Sequence, residues 1–118
     1  MQNTKYDGVI RFFIYKEGSK YIGVCLDLDI VEEGRDIEKL KKSLSEAARG
    51  YVETIIKKEM DESLLNQHAP KKYWEKYRFY LKYLEREKLS QDGISHLHEA
   101  SISSVCLPNM LRRNWTVV

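Results

Sequence analysis

The chain has 118 residues, one domain's worth, enough to remove roughly two thirds of the unfolded surface from water. Its residues are 42% hydrophobic and 32% charged, a balance that excludes a disordered tail, a fibre and a multi-domain enzyme. Twenty Lys and Arg against eighteen Asp and Glu leave +2, too even to imply nucleic acid by itself, although residues 61–118 carry the whole surplus.

Residues 9–15 are β-branched and aromatic, preceded by Asp7 and Gly8. A polar loop over 16–20 leads to a similar run at 21–26, so the pair predicts a β-hairpin. A third strand is expected over 28–33. At Gly34 the apolar period changes from two to 3.6. Ile37, Leu40, Leu44, Ala47, Ala48, Tyr51, Val52, Ile55 and Ile56 then form one stripe of a helix of about six turns. Asp36 stands at its N-cap, and Gly34 is expected to give a tight corner. Gly50 interrupts the helix and is expected to mark a close approach to the sheet.

Residues 61–70 read as a linker, with Pro70 at the start of a second helix over 71–89. That helix has Tyr73 or Trp74, Tyr77, Tyr80 or Leu81, and Leu84 on one stripe. Residues 101–107 read as a possible fourth strand ended by Pro108. The expected class is α+β: a three-stranded antiparallel sheet packed by a long helix (βββα), then a second helix, with 101–107 as the candidate for a fourth strand. The expected division is a βββα domain over 1–60, a linker over 61–70 and a helical extension over 71–118. One sheet face lies under the first helix, and the other is left for a partner or water.

Cys25 and Cys106 form neither a CxxC pair nor a disulfide framework. With no signal peptide and no apolar run near 18 residues, the reading is cytoplasmic, without a membrane anchor and with both thiols reduced.

The succession Cys25, Asp27, Leu28, Gly34, Asp36, Glu38, Leu40, Leu44, Ala47 and Tyr51 resembles the signature of the HicB-like antitoxin family over about residues 8–57. Leu26 and Asp29 stand where the family often has proline, and residues 60–118 match neither of its usual DNA-binding elements. The resemblance implies a partial RNase-H-like fold without catalytic competence. It also implies a HicA-type ribonuclease toxin as partner, and a homo-oligomer, a dimer first. No cofactor and no metal are expected.

Four acidic residues, Asp27, Asp29, Glu32 and Glu33, are the expected toxin contacts, mimicking phosphate against a basic surface. Asp27, Asp29 and Asp36 could instead hold two magnesium ions for nuclease chemistry, but a turn and a helix cap account for them better. His96, His98 and Cys106 have the residue types for zinc but no fourth ligand, and loop packing is preferred. Cys25, flanked by Val24 and Leu26, reads as a buried structural thiol. The second helix interleaves Lys72, Lys76, Arg78 and Lys82 with aromatics. Docking on the core is its preferred reading, and a stand-alone nucleic-acid-binding surface is the alternative function.

Overall fold

In the computed structural model the described residues are 2–90 and 100–111. β1 (Val9–Glu17) and β2 (Lys20–Cys25) form a hairpin whose loop is Gly18 and Ser19, with Glu17 opposite Lys20. β3 (Ile30–Gly34) pairs antiparallel with β2. α1 (Ile37–Lys57) follows, and the Asp36 carboxylate accepts from the amides of Glu38 and Lys39 as expected of an N-cap. The helix ends with Glu59 in the left-handed region at φ 49. The amide of Met60 reaches back to the Ile55 carbonyl and that of Glu59 to Ile56.

A 3-10 turn over Glu62–Leu65 leads to α2 (Lys71–Ser90). β4 (Ala100–Cys106) and the short α3 (Leu107–Met110) complete the described fold. The sheet order is β3-β2-β1-β4. Among the described residues α1 and α2 stand between β3 and β4 in the sequence, and β4 lies antiparallel to β1, Phe12 facing Ser103.

Strand alternation sorts the core into two clusters. Ile10, Phe12, Ile14 and Cys25 face α1, packing with Leu40, Leu44, Ala48, Val52 and Ile55. Phe13, Tyr15, Ile22, Val24 and Leu26 point the other way, onto Tyr73, Trp74, Tyr77 and Tyr80 of α2. The sheet is therefore the middle of three layers. That face is not left open to a partner or water: the stripe of α2 covers it, which is the docking on the core preferred for that helix.

The segment 61–70 is tied in as well. Leu65 is fully buried in the α1-side cluster and Ala69 lies in the other. The Tyr51 hydroxyl donates to the Leu64 carbonyl at 2.7 Å, joining α1 to the 3-10 turn. The residues assigned to a helical extension thus supply one edge strand of the sheet and one of its covers.

The expected glycine roles shift. A Cβ on Gly50 would meet nothing within 4 Å, so Gly50 marks no close approach. Gly34 does end β3 at a short corner, two residues before α1, but with open space for a Cβ and no positive φ. The close approach lies at Gly23 on β2, where a Cβ would sit 3.3 Å from Leu40 Cγ and Leu44 Cδ2. There α1 comes down onto the sheet.

Candidate functional site

The turn between β2 and β3 positions the acidic residues singled out in the sequence. Leu26 continues the pairing of β2 by donating its amide to the Arg11 carbonyl at 2.9 Å. Asp27 then turns inward, and its side chain is buried. One carboxylate oxygen accepts from the Arg11 amide at 2.7 Å and the other from Arg11 Nη1 at 2.8 Å. Burial raises the Asp27 pKa, while the Arg11 amide, the Arg11 guanidinium and His68 pull against that rise.

The backbone of the turn is held too. The Asp27 carbonyl accepts from the amides of Gln67 and His68, and the Leu26 carbonyl from Ala69. The strap over 67–69 is thereby stitched to the end of β2. The Arg11 guanidinium also lies 5.8 Å from the centre of the Trp74 ring, with His68 at 5.8 Å and Arg78 at 6.0 Å from the same indole. Asp27 is thus the inner end of a chain of contacts running through Arg11 to α2.

The other three acidic candidates lie nearer water. Asp29 is exposed at the turn, with φ 54. Glu32 is half-buried and accepts a 2.5 Å hydrogen bond from the Ser43 hydroxyl of α1. Glu33 is exposed on the opposite face of β3 and pairs with Lys20 at 2.8 Å. The corner therefore presents Asp29, Glu32 and Glu33, while Asp27 works beneath it. β3 has one strand neighbour among the described residues, so its outer edge is unpaired.

The three candidate nuclease carboxylates have separate tasks. Asp27 binds Arg11, Asp29 stands on the turn, and Asp36 caps α1. Among the described residues no group of three or more His, Cys, Asp or Glu is placed to hold a metal ion. His96 and His98 lie outside the described residues; Cys106 is exposed and unpaired as a thiol. Cys25 is buried in the α1-side cluster, and burial pushes its thiol well up, which keeps it protonated.

Three of the four basic candidates lean on rings of their own chain. Lys72 lies 4.9 Å from the Tyr73 ring centre. Lys76 lies 4.6 Å from that of Tyr15, and 3.7 Å from a Glu17 oxygen. Arg78 sits against Trp74, and Lys82 is exposed on the outer side of α2. A shallow cleft of about 530 Å³ runs between β3 and the start of α2, with Tyr15, Tyr73, Glu33 and Lys76 among its walls.

At the candidate site, sequence reasoning passes over Arg11 and His68, and reads Trp74 only as part of the stripe of α2. The signal available was Arg11 itself, a cation inside an otherwise apolar strand, which needs a buried or bridging partner. No described helix is long and apolar enough to cross a membrane. Compared with protein-family models, curated proteins and solved structures, the chain matches none.

Proposed function

We propose that this chain is a HicB-like antitoxin, a binding protein that neutralises a small basic HicA-type ribonuclease by covering it. The observation that supports this reading is the succession β1-β2-β3-α1, with α1 packed across the sheet, over the residues that carry the resemblance. The contact surface in this reading is the acidic corner of Asp29, Glu32 and Glu33 beside the unpaired edge of β3. Carboxylates there stand in for the phosphates of the toxin's RNA, so affinity falls as salt rises. Asp27 holds the corner in shape and does not touch the partner. Self-association belongs to the same reading, because β3 and β4 each keep one unpaired edge among the described residues.

The test is capture from nuclease-treated lysate of the source cell, followed by an RNA-cleavage assay on whatever is captured. The expected result is a small basic ribonuclease inhibited at a stoichiometric ratio, with inhibition weakened by the combined charge reversal of Glu32 and Glu33 to Lys. A captured ribonuclease that cleaves equally well with the chain present, or recovery of the chain alone, overturns the reading.

A further inference from the structure

Independently of the acidic corner, we propose that the outer face of α2 is a binding site for single-stranded nucleic acid, with Phe79 as the ring on which an unpaired base stacks. α2 carries seven Lys or Arg and three Glu, whereas residues 1–70 carry eleven basic and thirteen acidic groups. The positive charge of the molecule is concentrated on this one helix. Its inward stripe is taken up by the sheet through Tyr73, Trp74, Tyr77 and Tyr80.

The opposite stripe is Lys72, Glu75, Phe79, Lys82 and Arg86, all exposed. Lys72, Phe79 and Arg86 recur at seven-residue steps, so they stand above one another along about 21 Å of helix. Phe79 is 67% exposed, and its ring meets only the edge of Tyr80 on its own helix among the described ring contacts. An aromatic face open to water amid cations fits a polyanion whose bases are unstacked. A duplex would use the charges and leave the ring idle, since its bases are already stacked. A lipid surface would need more apolar area than one phenylalanine provides.

This set differs from the one taken from the sequence. Lys76 and Arg78 drop out because they lie on the flanks of α2, Lys76 towards Tyr15 and Glu17 and Arg78 over Trp74, whereas Lys72, although 4.9 Å from the Tyr73 ring, stands on the outer stripe. Phe79 and Arg86 take their place beside Lys72 and Lys82, which stay.

The experiment is fluorescence anisotropy of the full chain with a labelled oligouridine, an oligothymidine and a duplex of equal length, at 50 and 200 mM salt. Both single strands should bind more tightly than the duplex. Roughly three phosphate contacts would give a logarithmic salt slope of about −2. Phe79→Ala should weaken binding roughly 5- to 100-fold at either salt. The charge reversal Lys82→Glu with Arg86→Glu should abolish it. Both changes are on exposed helix positions, and far-ultraviolet circular dichroism checks that the helices persist. No binding of either single strand at 50 mM salt overturns the proposal, and so does binding that Phe79→Ala leaves unchanged.

Discussion

Asn3 sits where the N-terminal arm meets the body of the protein, and its side chain is buried. Its amide nitrogen donates to the Leu65 carbonyl at 3.0 Å, and its Oδ1 accepts from the Val9 amide at 2.8 Å. Its backbone exchanges two further bonds with the Asn66 side chain. Gly8 has φ +144, and any Cβ there would collide with Asn3 Oδ1. Asn3→Ala leaves a half-buried amide and a buried carbonyl unpaired, so it should lower stability by about 2 kcal/mol, measured as a shift of the urea midpoint. Gly8→Ala should act in the same direction through the same clamp. Tyr15 offers a test by pH. Its side chain is covered, and burial, then the Glu17 charge, raise its pKa from 10.0 to about 12. The folded state holds the phenolic proton more firmly than the unfolded chain does. That stabilisation is complete below pH 10 and is lost as the pH climbs from 10 towards 12. Urea midpoints followed through that range should fall less steeply in Tyr15→Phe than in the parent chain. Contacts such as Asn3 with Leu65, or Arg11 with Asp27, join residues 62 and 16 positions apart. Hydrophobic periodicity carries no information on such pairs, so they were illegible in the sequence.

At the scale of the elements, α1 was legible almost to the residue, because one unbroken stripe and the Asp36 cap mark it. Its end carries no glycine signal, because the left-handed residue there is Glu59; the length of the stripe and the linker after it mark the stop instead. Gly50 is an exposed position of this helix with open space where a side chain would go. Gly50→Ala should therefore raise stability by about 1 kcal/mol, read from thermal and urea unfolding. Had Gly50 been the place where α1 meets the sheet, the same change would destabilise. Gly23 is that place, and its alanine variant should force Leu40 and Leu44 to shift. α2 was legible as an amphipathic helix docked on the core, but the sheet face that receives it was not. A helix wheel shows which face is apolar and not which surface will receive it. The same limit applied to the acidic corner, where spacing showed four carboxylates together and could not show Asp27 turning inward.

For the whole molecule, the sheet needs both covers. Phe13, Val24 and Leu26 are fully buried only because α2 lies over them, and β1 is an inner strand only because β4 pairs with it. A chain cut after residue 66 keeps every residue of the βββα unit and loses both. It would expose one apolar sheet face and convert β1 into an edge. Such a fragment should bind a hydrophobic dye, self-associate, and give poorly dispersed amide resonances, whereas the intact chain should do none of the first and third. A well-folded monomeric fragment would show that the two halves are independent units.

Trp74 touches Arg11 of β1, His68 of the strap and Arg78 of its own helix, so its surroundings exist only while α2 is seated. The chain has two tryptophans. With Trp115 replaced by phenylalanine, the remaining indole becomes an optical label built into the joint. Its emission colour reads the seating of one helix, and ellipticity in the far ultraviolet reads helix content as a whole. Two unfolding curves that superimpose would mean a lid that never lifts alone; a red shift that precedes the loss of ellipticity would time its opening.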